Sequence, residues 1–157
     1  MSAGPGSRRA VPPFGGPGRF WRGNLHTHSD RSDGALPLGF APPGPGETGP
    51  ALARRARAAG AFIGLAHPAA SLLTLADAES VNAAHAVEVY NALAAREERA
   101  DSWHLCDLLL GRGRRLSGYA ADDAHFQPQD PPGVAAWVQV CAGPLDDAAL
   151  LAALKAG

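Results

Sequence analysis

FIGLAHPAASLLTLADAESVNAAHAVEVYN, residues 62–91, decides the fold. Its first five residues, FIGLA (62–66), are a short continuous apolar run ending at His67-Pro68. That length and punctuation fit a buried strand better than a helix. A helix is expected near Asp77 to Ala84, and AVEVYN, residues 86–91, forms a second buried-strand candidate. Strand, helix and strand in succession argue for an α/β protein with parallel strands.

Working outward, a helix is expected around Ala51 to Ala59, closed by Gly60 at its C-terminus. Before it, ALPLGFAPPGPGETGP (35–50) carries prolines and glycines that forbid a regular helix or a central strand. A first strand is expected over Phe20 to His28, preceded by a Gly/Pro-rich disordered arm at residues 1–18. Downstream, ADSWHLCDLLLGRG reads as a helix with Asp101 or Ser102 as N-cap and Gly111 as terminator. Trp103, Cys106, Leu109 and Leu110 share one of its faces. RLSGYAADDAH reads as a strand entering a loop, and AAWVQV (135–140) as a further strand. DDAALLAALKAG forms an amphipathic helix with acids at its start and Lys155 at its end. Residues 19–157 are thus expected to form one domain.

Composition narrows the function classes. Hydrophobic residues make up 46% and charged residues 18%, so a packed core is within reach, although alanine supplies much of the apolar count and buries little area. The net charge of −1 gives no reason to expect nucleic acid or an anionic membrane as partner. Cys106 and Cys141 form no CxxC pair, which fits a reduced compartment. No apolar run approaches the roughly 20 residues that span a bilayer. The first residues lack the apolar core of a signal peptide, and a cytoplasmic location is expected.

The chemistry-bearing residues gather at strand ends. In a strand, side chains at i and i+2 share a face, so His26 and His28 of LHTHSDRSDG would aim two imidazoles at one spot. Asp123 and His125 repeat the spacing with a carboxylate and an imidazole. His67 stands where a parallel strand would present it at the C-terminal edge, the edge at which α/β sheets and barrels carry their sites. Asp33 lies close to the first pair. Imidazole with carboxylate suits zinc, manganese or iron. Each piece has a structural alternative: a strand-end turn for HxH, a simple turn for HP, an Asx turn for the DDAH stretch with Asp122 in that role. His85 and His104 lack such placement and read as satisfied or helix-face residues. Glu88 alternates with Val87 and Val89, so it faces either solvent or, inward, the metal. The GRGRR run (111–115) complements a helix C-terminus, and Arg31 is the better candidate for a substrate anion.

GNLHTHSDRSDG, then GLAHPA, then VEVYN, then WHLCDLLLGRGRRLSGYAADDAH resemble, in order, the PHP (polymerase and histidinol phosphatase) superfamily, in particular its CehA/McbA-type metallohydrolase branch. The resemblance implies a distorted (β/α) barrel that holds several metal ions and hydrolyses phosphoesters through a metal-bound hydroxide. It implies that His26, His28 and Asp123 hold one ion, that His67 serves a second, and that Asp33 and His125 contribute to a third. Catalysis would rest on His26, His28, Asp123 and His125, acting on a small phosphorylated or other ester substrate. The family's TDH-like strand end, bridging Glu and following His are missing; residues 35–50 stand in their place, and Glu47 does not match. A full eight-stranded barrel takes about 250 residues. The expectation is therefore an incomplete or distorted PHP-type barrel of about five parallel strands. Its open sheet edge would be covered, short or paired with another copy as a homo-oligomer. The alternative function is a catalytically inactive PHP remnant that serves as a metal-binding or interaction module.

Overall fold

The computed structural model describes residues 18–26, 45–126 and 135–157. Its elements run β1 (Arg19–Gly23), α1 (Gly49–Ala58), β2 (Gly64–Leu65), α2 (Leu75–Ser80), β3 (Ala86–Asn91), a 3-10 turn (Ala94–Glu97), α3 (Trp103–Gly111), β4 (Ser117–Ala121), β5 (Val138–Ala142) and α4 (Asp147–Ala156). The chain is mixed α/β. Strands β2, β3 and β4 form a parallel sheet in that order, and β1 and β5 form a separate two-stranded sheet. None of the described helices is long and apolar enough to cross a membrane.

Among the described residues, three of the five strands are parallel rather than all five. β1 and β5 pair antiparallel, with Arg19 opposite Ala142 and Gly23 opposite Val138. Among the described residues no barrel closes. The reason is visible in the two segments: Arg19, Arg22 and Gln139 are exposed polar residues in strands that bury little besides Ala142. One solvated face is what an antiparallel pair tolerates and a buried parallel sheet does not. Arg22 also lays its guanidinium 3.7 Å from the centre of the Trp137 ring, on the neighbouring strand's approach.

The parallel sheet, by contrast, buries both faces. Val87 and Val89 point to one side, where Leu65, Ala78 of α2, and Cys106 and Leu109 of α3 complete a core. Ala86, Tyr119 and Ala121 point to the other, against Leu25, Phe62 and Val138. This two-sided burial explains why AVEVYN reads as a continuous run. On α3, however, Trp103 is 54% exposed and Leu110 44%, so only Cys106 and Leu109 of the expected apolar face are core.

Several boundaries move for local reasons. β1 stops at Gly23 instead of reaching His28. α2 starts earlier than Asp77 because Thr74 and Asp77 form a reciprocal capping box, and it ends at Ser80. β5 starts at Val138 rather than Ala135, since the amides of Ala135 and Ala136 donate to the Asp122 carboxylate instead of a ladder. Gly49 and Pro50 belong to α1, not to a loop, with Pro where the first turn has no hydrogen bond to lose. Glu47 grips Arg55 with both carboxylate oxygens, at 2.8 and 2.7 Å. Arg112 bonds Glu79 at 3.2 Å and Arg114 bonds the Val81 carbonyl at 3.3 Å, so both tie α3 to α2. The arm at residues 1–18 (Gly18 apart) and the loop from 35 to 44 lie outside the described residues.

One glycine is demanded by packing. A Cβ on Gly64 would stand 2.6 Å from the Tyr119 hydroxyl and 2.7 Å from its ring, beneath a phenol that is itself buried. Gly64→Ala is therefore expected to destabilise the fold by about 1–3 kcal/mol, the usual cost of overpacking. A lower denaturation midpoint with an unchanged slope would show it.

Candidate metal centre

Three strand ends converge on one point. His26 follows β1 by three residues, His67 follows β2 by two, and Asp123 follows β4 by two. Because β2 and β4 run parallel, their C-terminal ends lie on the same sheet edge. Among the described residues, His26, His67 and Asp123 form the one group whose ligand-type atoms all lie within 4.8 Å of one another. His26 Nε2 is 3.0 Å from Asp123 Oδ1, and His67 Nε2 is 3.7 Å from Asp123 Oδ2. The two imidazoles stack at 5.2 Å between centroids. His67 at φ 28° and Asp123 at φ 59° both occupy left-handed backbone, which turns each chain segment sharply as it leaves its strand.

Glu88 closes the site from behind. It is fully buried on the face of β3 opposite Val87 and Val89, so its inward orientation is the realised one. Oε1 accepts from His26 Nδ1 at 2.9 Å. Oε2 accepts from the His67 backbone amide at 2.5 Å and from Asn91 Nδ2 at 3.0 Å. A register shift between Glu88 and Tyr90 lets Asn91, an odd number of residues further on, share the Glu88 side of the strand. Asn91 was not among the residues expected at the site. Strict alternation would place it on the opposite face from Glu88, so the sequence carried no signal for it.

The imidazoles are oriented as metal ligands are. His26 Nδ1 faces Glu88, His67 Nδ1 is 2.7 Å from Ser71 Oγ, and His125 Nδ1 is 2.9 Å from the Asp123 carbonyl. A neutral ring that donates from Nδ1 to such an oxygen offers Nε2 to an ion, the arrangement that outer oxygen partners impose on ligating histidines. Two ligands each about 2.0–2.1 Å from a tetrahedral ion stand roughly 3.3 Å apart. The 3.0 Å between His26 Nε2 and Asp123 Oδ1 is close to that separation, and all three ligand-type atoms lie within 4.8 Å of one another, so the donor set fits a small divalent ion.

His125 Nδ1 meets the Asp123 carbonyl and His125 is not in the three-residue group; β4 ends at Ala121, so the Asp123/His125 pair lies beyond the strand. His28 and Asp33 lie outside the described residues. Asp122, read as an Asx-turn former, instead reaches distant segments: its Oδ1 accepts from Ala135 N at 2.7 Å and Ala136 N at 2.6 Å, and its Oδ2 from Asn24 Nδ2 at 2.8 Å. His85 is satisfied as a neutral ring, its Nδ1 accepting from Ile63 N at 3.0 Å.

Electrostatics link the centre to pH. Burial disfavours the charged form of His26, but the Asp123 and Glu88 carboxylates outweigh it and hold the imidazole up to about 9, against 6.5. Burial, with the same two carboxylates nearby, also pushes the Tyr119 phenol up. A raised folded value means that the His26 contribution to metal-free stability is fully present below pH 6.5 and disappears as pH rises to about 9. Metal must displace that proton. Zinc affinity is expected to climb by nearly tenfold per pH unit between pH 6.5 and about 9, then level off. Chelator-competition titrations across this range check it, and a flat profile would exclude His26 as a ligand.

The chain matches no family model, no curated protein and no solved structure.

Proposed function

We propose that the chain is a metal-dependent hydrolase, in the first place a phosphoesterase, of PHP type in shortened form. The observation that supports this reading is the meeting of His26, His67 and Asp123 from three strand ends, backed by the buried Glu88 carboxylate. Two neutral imidazoles with one or two carboxylates are a donor set for zinc, manganese or iron. An ion bound there would supply Lewis-acid polarisation of a phosphoryl or carbonyl oxygen and acidify a water.

The residues of the chain do the rest. Asp123 brings the negative charge that offsets the ion, and Glu88 holds His26 in the tautomer that offers Nε2. Ser71 does the same for His67 across 2.7 Å. Once Nε2 of His26 is deprotonated, the carboxylate of Glu88 still anchors Nδ1, so the ring cannot rotate away from the centre. A phosphoester or other ester would present its electrophilic atom to this cluster, and no serine or cysteine nucleophile is required.

The test counts metals per purified chain and measures turnover of a generic aryl phosphate. Bound zinc, manganese or iron, with activity that vanishes in His26→Ala, is the expected result. A second reading, a metal-binding module without turnover, draws on the open three-stranded parallel sheet. Tight binding of metal with no hydrolysis under any metal supplied would favour it. Protein that binds no divalent ion would sink both.

A further inference from the structure

Asn91 is fully buried at the end of β3, yet it packs against charge rather than hydrocarbon. Its Oδ1 accepts from the Ala94 amide at 2.8 Å, which settles which end of the amide points where. Nδ2 then faces the site, 3.0 Å from Glu88 Oε2 and 3.0 Å from Asp123 Oδ2. An amide nitrogen carries two hydrogens, and here each has one carboxylate oxygen to meet. Asn91 therefore clamps the two acids at a set separation, and it does so by engaging one particular oxygen of Asp123. The other oxygen, Oδ1, is the one that meets His26 Nε2 at 3.0 Å.

We propose that Asn91 is a positioning residue that makes Asp123 a one-oxygen ligand and thereby tilts the site toward small, four-coordinate ions. The proposal rests on the metal-centre reading above. An amide hydrogen on one carboxylate oxygen fixes the plane of the group and makes that oxygen the poorer donor, so the ion is met first through the other oxygen. Tetrahedral zinc is content with a single carboxylate oxygen at about 2.0–2.2 Å. Manganese prefers more oxygen donors in octahedral geometry, and larger ions commonly take both oxygens of a carboxylate. Holding Oδ2 on Asn91 thus weakens a donor that manganese would use and zinc would not.

The experiment measures zinc and manganese dissociation constants by chelator competition on the full chain, for wild type, Asn91→Leu and Asn91→Ser. Leucine keeps the volume without the hydrogens, and serine is too short to reach both acids. Zinc preference over manganese is expected to fall by roughly tenfold or more in both variants, the scale typical of lost partners around a metal site. An unchanged ratio, including equal losses for the two ions, overturns the proposal and leaves Asn91 a support of the fold. Cobalt(II) absorption of the wild-type protein gives a measurement that needs no variant to fold. An intense four-coordinate spectrum is expected, and the weak spectrum of six-coordinate cobalt would overturn the inference. Wild-type protein that binds none of the three ions would instead refute the metal centre itself.

Discussion

Glu88→Gln is expected to lower zinc affinity by about 10–100-fold, although Glu88 is an outer partner of the ligands. The carboxylate accepts from three donors: His26 Nδ1, the His67 amide and Asn91 Nδ2. A glutamine can offer one oxygen, and its amide nitrogen would face a donor with a donor. His26 then loses the partner that holds its tautomer, and the proton that metal must displace is held less firmly. The two effects oppose one another, so the pH dependence separates them. The steep rise of zinc affinity toward pH 9 should flatten in the variant, because the imidazole returns toward its ordinary value without one of its two carboxylates. Stability falls as well, by roughly 1–3 kcal/mol for each buried donor left without an acceptor. A variant with wild-type affinity and a wild-type pH profile would remove Glu88 from the site.

The parts of this arrangement that could be read from the chain are those with a local cause. AVEVYN announces a buried strand because it is a short β-branched run closed by turn signals, and its one acid, Glu88, already raises the choice between solvent and an inward site. His67 and Asp123 could be placed at the C-terminal edge because each ends an apolar strand run, at a helix-free turn. Strand direction was not legible in the same way. β1 and β5 find each other across more than a hundred residues, and only the weak alternation of Arg22 and Gln139 hints that they form a half-solvated antiparallel pair. Nor was the Glu88–Asn91 partnership legible, since strict alternation puts residues three apart on opposite faces. The bulge between Glu88 and Tyr90 reverses that parity, and a bulge depends on the neighbouring strand rather than on local sequence.

Adjacent aspartates should respond to substitution in opposite ways. Asp122 is buried, and its two oxygens take the amides of Ala135 and Ala136 and the side chain of Asn24. It joins the exit of β4, the exit of β1 and the approach to β5 in one contact set, and Asn24 passes the link to the His26 amide at 3.1 Å. Asp122→Ala removes every one of those acceptors. The expected loss is roughly 3 kcal/mol or more, a large share of the stability of an ordinary domain. It should appear in the metal-free protein as a lower denaturation midpoint. Zinc should still raise that midpoint wherever the variant folds, because His26, His67 and Asp123 remain. Asp123→Asn should do the reverse. Its main effect is to abolish the zinc-dependent increment, which for a site binding only the folded state is about 2.7 kcal/mol at a hundredfold excess of ion over its dissociation constant. The distinction follows from what each carboxylate touches: backbone amides for Asp122, ring nitrogens for Asp123. Thermal or chemical melts of both variants, with and without zinc, decide it. An Asp122 variant that keeps its metal-free stability but loses the zinc increment would mean that the roles are exchanged.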